Sequence, residues 1–208
     1  MKIIKPYIIV ESDIDGNKIL EHIEKAGRVC YKSEDKISEK SAEKFIDNIL
    51  KRGHESVIEH VSLTVRVVCD RGVSHEIVRH RIASYSQEST RYCNYSSDKF
   101  GNELTYIQPC FWEENDKRYI MWKETMRLIE KNYNELISLG AKPQEARDIL
   151  PNSIKTEVII TMNLREWRHF LKLRTSLAAH PQMREVALMI YNEFSKKIPI
   201  IFDDITIE

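Results

Sequence analysis

Apolar and polar positions recur along this chain with two different periods, and the changes of period place the elements. Residues 17 to 31 and 38 to 52 repeat apolar positions at helical spacing. In the second segment Ala42, Phe45, Ile46, Ile49 and Leu50 form one stripe. Ser38 or Ser41 predicts the start of that helix and Gly53 its close. His54 to His60 reads as a polar link rich in titratable groups. Val61, Leu63, Val65 and Val67 then alternate with Ser62, Thr64 and Arg66, the pattern of a strand with one buried face. Asp70-Arg71-Gly72 ends it, and Ser74 predicts the cap of a helix reaching about Ser84. Over 113 to 139, Tyr119, Trp122, Met126, Ile129, Tyr133 and Leu136 return to helical spacing, and Gly140 closes the segment. Pro143 predicts a short helix ending before Pro151. Ile154, Thr156, Val158, Ile160 and Met162 make a second strand. Helices are predicted over 164–179 and 181–196, with Pro181 in a first turn, and a short strand over the last residues.

Few strands and many helices, without regular β-α-β alternation, internal repeat or linker, predict an α+β fold. We expect a single compact domain over 1–208, with a mixed or antiparallel sheet and several helices, one of them long. A chain of 208 residues is long enough to enclose one core. Its 32 basic and 32 acidic side chains cancel, which argues against a protein that coats nucleic acid by bulk charge. Any anion site must therefore be a local cluster. No run approaches the ~20 apolar residues of a membrane span, and Met1-Lys2-Ile3-Ile4-Lys5 lacks the apolar core of a signal peptide. Cys30, Cys69, Cys93 and Cys110 form no C-x-x-C pair, so no metal site is expected from them. These features predict a soluble, cytoplasmic protein with reduced thiols.

The local cluster is found at residues 79 to 91, where Arg79, His80, Arg81 and Arg91 stand among the hydroxyls of Ser84, Ser86, Ser89 and Thr90. Guanidinium forks match phosphate oxygens in pairs, and buried unpaired charge is costly, so the stretch suits an anion better than a core. At about 100° per residue, Glu76 and Arg79 share a face of the predicted helix and Arg81 points the other way. Such a pair also occurs as a solvated i,i+3 contact. On the helix from Leu164, the residues Trp167, Phe170, Leu171 and Leu177 define an apolar face with Arg174 at its centre, while Arg165 and His169 lie opposite. An arginine so placed needs a carboxylate, a carbonyl cluster or a ligand, unless it snorkels past Phe170 to solvent. His54, Glu59 and His60 do not have zinc spacing and read as capping groups.

Arg79-His80-Arg81 followed after seven residues by Ser89 matches the R-H-R-x7-S signature of flavin-dependent thymidylate synthases, the ThyX family. Gly53-His54-Glu55-Ser56 with Glu59-His60 resembles the family's G-H-x-[ST]-x-x-E-H region. Ala146-Arg147 with Leu150-Pro151 resembles its A-R-x-x-L-P segment, and Asn163-Leu164-Arg165 through Phe170-Leu171 and Leu173-Arg174 its N-x-R…F-L-x-L-R helix. The resemblance implies synthesis of dTMP from dUMP, with 5,10-methylenetetrahydrofolate as carbon donor, FAD as cofactor and NADPH as reductant. It also implies a homotetramer with active sites at subunit interfaces. By the same resemblance Ser56, Arg79, His80, Arg81, Gln87, Asn163, Leu164, Arg165 and His169 would hold FAD, with His54 near the isoalloxazine. Glu76, Arg79, Gln87, Glu88, Ser89, Thr90, Arg91, Arg147 and Arg174 would hold dUMP, and Arg174 would be catalytic. Three positions depart from relatives: Glu76 stands for a glutamine, Gln87 for a glutamate and His169 for an asparagine. Two other readings of the same residues stay open, an RNA-binding module that stacks bases and a flavoprotein acting on a different acceptor.

Overall fold

The two alternating segments become the longest strands, β3 (Ser62–Asp70) and β6 (Lys155–Asn163), in the computed structural model, which describes residues 1–207. On β6, Thr156, Val158, Ile160 and Met162 are buried while the residues between them are partly open. These strands are central in a four-stranded sheet of order β2 (Tyr7–Val10), β3, β6, β4 (Ser84–Gln87). The Leu164 N–H donates to the Val61 carbonyl and the Arg71 N–H to that of Ile154. Positions thus rise on one strand as they fall on the other, so β3 and β6 run antiparallel. A separate pair, β1 (Lys2–Ile4) and β5 (Thr105–Ile107), is parallel, with Ile3 opposite Tyr106.

The chain forms two compact units, and both long strands contribute residues to each. The first comprises Met1–Tyr7, Val67–Arg79 and Ser86–Ile159. It contains α3 (Arg71–Ile77), the 22-residue α4 (Lys117–Ser138) and α5 (Pro143–Ala146), the last followed by a 3-10 turn, Arg147–Ile149. Its core gathers Tyr95, Leu104, Tyr106, Met126, Tyr133, Ala146 and Ile154. On α4, Tyr119, Met126 and Tyr133 are buried at seven-residue spacing. Asp116 caps the start of α4 by accepting the Arg118 N–H at 2.8 Å. At its end Gly140 takes φ +95°, and the N–H groups of Gly140 and Ala141 reach back to Ile137 and Leu136, a Schellman closure.

The second unit comprises Ile8–Arg66, His80–Tyr85 and the residues from Ile160 on. It holds α1 (Gly16–Tyr31), α2 (Ser41–Lys51), a 3-10 turn Glu55–His60, α6 (Leu164–Arg174), α7 (Pro181–Lys197) and α8 (Pro199–Phe202). Trp167, Phe170, Phe194 and Phe202 are fully buried, and Trp167 meets Phe170 and Phe194 edge-on at 5.4 and 5.3 Å. Each such ring contributes roughly 2–3 kcal/mol of burial. The Trp167 indole N–H is satisfied by the Leu63 carbonyl at 3.0 Å. Gly53 closes α2 at φ +71°, as its position in the sequence predicts.

Several expected boundaries move. The helix expected over 74–84 ends at Ile77, and its cap is Asp70, whose carboxylate accepts the Val73 N–H at 2.8 Å. Beyond it the polar stretch has no apolar stripe to hold a helix down, and Ser84–Gln87 joins the sheet instead. Arg79 and Arg81 therefore lie on no helix face. The segment 54–60 forms a 3-10 turn that buries Val57 and Ile58, so it is not a polar link. On α2 neither Ser38 nor Ser41 is the cap. The N-cap is Lys40, and the Ser41 hydroxyl donates to the buried Glu24 at 2.7 Å. α6 stops at Arg174, five residues early, where the Thr175 hydroxyl bonds the Leu171 carbonyl. Leu177, expected on the apolar face, is 68% exposed. No strand forms among the described residues after α7, where one was expected: α8 forms at Pro199–Phe202, because Ile201 and Phe202 are buried and Pro199 favours a helix start, and 203–207 are turn and coil. No helix among the described residues is long and apolar enough to cross a membrane.

Candidate functional site

α6 follows β6 without a linker, and Asn163 makes the junction by accepting the Glu166 N–H at 2.9 Å. The first turns of α6 present Arg165, Glu166, His169 and Lys172 to an open cleft of about 550 Å³ in the second unit. Glu55, Glu59, Ile82, Asn163 and Arg168 complete its lining. Arg165 donates to Glu59 at 2.6 Å and lies 3.8 Å from Glu55, while Lys172 is 3.9 Å from Glu55. Arg168 is 2% exposed. Its guanidinium makes two bonds of 2.6 Å to Asp204, one of 3.2 Å to Glu55, and another to the Ile201 carbonyl. Burial opposes the charge on Arg168, but Asp204 and Glu55 outweigh it and raise the pKa. Arg168 in turn lowers that of Asp204.

His80 belongs to this unit and is buried. Burial, then Arg174 and His169, push its pKa down to about 4, so the ring is neutral near pH 7. Arg174 Nε donates to His80 Nε2 at 3.1 Å. The other ring nitrogen, Nδ1, faces Glu166 Oε1 at 3.5 Å. Burial raises the Glu166 pKa, with His169 acting against it. The His80 ring also lies 4.8 Å from that of Phe170 and meets His169 edge-on at 5.7 Å. Its carbonyl accepts the Tyr85 hydroxyl, whose pKa burial pushes up to about 12.

The expected residues divide between the units. Ser56, His80, Arg81, Asn163, Leu164, Arg165, His169 and Arg174 lie in the second. Glu76, Arg79, Gln87, Glu88, Ser89, Thr90, Arg91 and Arg147 lie in the first. The second unit brings Asn163, Arg165 and His169 into one cleft, with His80 against His169. Leu164 is fully buried, Ser56 and Arg81 are exposed, and His54 Nδ1 bonds the Tyr31 hydroxyl at 2.9 Å. In the first unit the Gln87 amide donates to Ser74 at 2.9 Å and Thr156 at 3.2 Å, which ties β4 to α3 and β6. The Glu88 carboxylate accepts from Lys155 at 2.7 Å and from the Tyr95 hydroxyl at 2.8 Å. Burial disfavours charge on Lys155, yet Glu157 and Glu88 raise its pKa on balance. Ser89 Oγ accepts the Arg91 N–H at 3.3 Å, Thr90 is buried, and Arg91 and Arg147 are exposed.

Three residues escaped sequence reasoning. Arg168 is the buried arginine of α6, where Arg174 had been expected at the centre of the apolar face and is half-buried. The signal was present, since Leu164, Arg168 and Leu171 share a helix face with Trp167. Lys155, on the outward side of β6 with Glu157, shows only as an alternating polar position. Glu166 lies between Arg165 and Trp167, and its link to His80 spans 86 positions that no local pattern bridges.

Residues 14–200 match the family model described as thymidylate synthase complementing protein. A flavin-dependent thymidylate synthase of Pyrococcus furiosus is 40% identical over 172 residues, covering 82% of this chain and 70% of that protein. One of Corynebacterium efficiens is 30% identical over 98% of this chain and 86% of its own length. A crystal structure described as a UMP/dUMP methylase, PolB from Streptomyces cacaoi bound with 5-Br dUMP, superposes with a TM-score of 0.78. It covers 98% of this chain and 96% of that one at 22% identity, which shows a shared α+β fold.

Proposed function

The chain belongs to the flavin-dependent thymidylate synthase family and is accordingly an enzyme, a methyltransferase; on that footing we propose that it converts dUMP to dTMP. The methylene carbon of 5,10-methylenetetrahydrofolate forms a bond to C5 of the uracil as its two bonds to the folate nitrogens break, the C5 proton leaves, a hydride completes the methyl group, and the two folate nitrogens take up protons. NADPH is the ultimate reductant, so that tetrahydrofolate and NADP⁺ leave with dTMP. FAD, when bound, would supply the hydride-transfer chemistry between NADPH and the forming methyl group. The acting particle is a homotetramer with sites at subunit interfaces, each chain forming one such domain over 1–208 in the cytoplasm.

The donor set suits a flavin dinucleotide. The cleft on α6 gathers a neutral amide (Asn163), an imidazole (His169) and three cations (Arg165, Arg168, Lys172) beside the carboxylates of Glu55, Glu59 and Glu166. Arg165 is paired with Glu59, but both side chains are largely open to solvent. An exposed pair of this kind is worth at most about 1 kcal/mol, less than a bidentate guanidinium–phosphate contact offers. Exchange of Glu59 for a phosphate oxygen is therefore favourable. Ser56, Arg79, His80, Arg81, Gln87 and Leu164 complete the flavin set. Glu76, Glu88, Ser89, Thr90, Arg91 and Arg147 hold the nucleotide, with Arg79 and Gln87 shared between the two ligands. Arg174 stabilises negative charge at N3 and O2 of the uracil, which is electrostatic catalysis by a fixed cation. The observation that supports this reading most is the convergence of Asn163, Arg165 and His169 on one cleft, beside the buried histidine of the R-H-R signature.

A visible spectrum of the purified protein, before and after dUMP, tests it. Flavin bands that dUMP perturbs are expected. Protein that stays colourless and takes up no FAD would rule the reading out. Flavin that responds to NADPH but not to dUMP would mark an oxidoreductase with a different acceptor.

A further inference from the structure

Glu166, Phe170 and Arg174 stand four apart on α6 and form one row along the helix. His80 lies along that row. Its Nδ1 faces the Glu166 carboxylate at 3.5 Å, its ring packs on Phe170 at 4.8 Å, and its Nε2 receives Arg174 Nε–H at 3.1 Å. A guanidinium has only donors, so Nε2 must offer a lone pair. In a neutral imidazole the single proton is then on Nδ1, the nitrogen that the carboxylate faces. The other tautomer would set two N–H groups against each other at Arg174 and leave Nδ1 bare beside Glu166.

We propose that Glu166 is a positioning residue: by keeping the His80 proton on Nδ1 it leaves Nε2 to hold Arg174 in the orientation the reaction uses. This rests on the role given to Arg174 above. The tautomer is fixed by contacts at both nitrogens, the ring is packed by Phe170, and the Tyr85 hydroxyl ties down the His80 backbone carbonyl. Burial of His80, which keeps the ring neutral, makes the tautomer decisive. A protonated ring would offer Arg174 no acceptor at all.

A double-mutant cycle on the FAD-loaded enzyme tests the proposal. Glu166→Ala is expected to lower kcat for dUMP methylation, taken per bound flavin, about tenfold or more, since small misplacements of a catalytic group are costly, while far-UV circular dichroism stays unchanged. In an Arg174→Lys background, which lacks the Nε–H and keeps a charge, Glu166→Ala should cost less than about twofold more, because both changes break one linkage. Wild-type kcat in Glu166→Ala, or losses that multiply independently in the two backgrounds, would overturn the proposal and leave the function standing. Wild-type kcat in Arg174→Lys would instead remove the role of Arg174 itself. If Glu166→Ala does not fold, nitrogen-15 NMR of histidine-labelled wild-type protein decides. The His80 signals, assigned by their loss in His80→Gln, should show the proton on Nδ1, and a proton on Nε2 would defeat the proposal.

Discussion

Replacing Arg168 by methionine keeps a long apolar stem and removes the guanidinium. Four partners lose a donor: both Asp204 oxygens, Glu55 and the Ile201 carbonyl. Hydrogen bonds to a charged group are worth about 1.5–3 kcal/mol each, but they cannot simply be added. The Asp204 side chain is 56% exposed and Glu55 25%, so both recover water when the arginine leaves. Ile201 is fully buried, and its carbonyl, left unpaired, costs about 1–3 kcal/mol. Methionine also avoids the desolvation of a buried charge, which offsets part of the loss. The net expectation is about 3 kcal/mol, at the lower end of the range for breaking a buried ion pair. With a urea m-value of about 2 kcal/mol/M, the unfolding midpoint should fall by about 1.5 M. Far-UV circular dichroism at one fixed protein concentration measures this, since association moves the midpoint. Asp204→Asn should then add almost nothing in the Arg168→Met background. A loss below about 1 kcal/mol, or full additivity of the two changes, would refute the view that this arginine anchors α8 to α6.

Two further outcomes are expected. His80 titrates at about 4 in the fold against an ordinary value of 6.5, so unfolding takes up a proton between these values. Its contribution to stability is complete above pH 6.5 and is lost as pH falls toward 4, by at most about 3 kcal/mol. Urea unfolding across that window should show the slope flattened in His80→Gln, and an unchanged slope would contradict the neutral assignment. Serine replacements of Cys30, Cys69, Cys93 and Cys110, made one at a time, should leave dUMP methylation measurable, because the reaction proposed above assigns no thiol the role of nucleophile. Cys69 is fully buried, and burial pushes its thiol up and away from reactivity. Complete loss of turnover in a folded cysteine variant would overturn that assignment.

Elements whose pattern is local can be read directly from the chain. The alternation at 61–67 and 154–162 is visible because one face of each strand is buried. The stripe of α4 and the glycines at 53 and 140 mark a buried face and two left-handed closures, all readable within a few residues. The R-H-R signature and the N-x-R helix were likewise legible as short motifs. The remaining features depend on partners distant in the chain and emerge only on folding. The segment after Ile77 was expected to continue the preceding helix, yet sheet pairing took Ser84–Gln87. Arg168 is buried because Glu55, Asp204 and the Ile201 carbonyl meet it from two remote segments. The state of His80 follows the same rule. Its sequence position identifies a histidine, but burial, Glu166 and Arg174 settle which nitrogen holds the proton, since a tautomer depends on the groups packed around the ring.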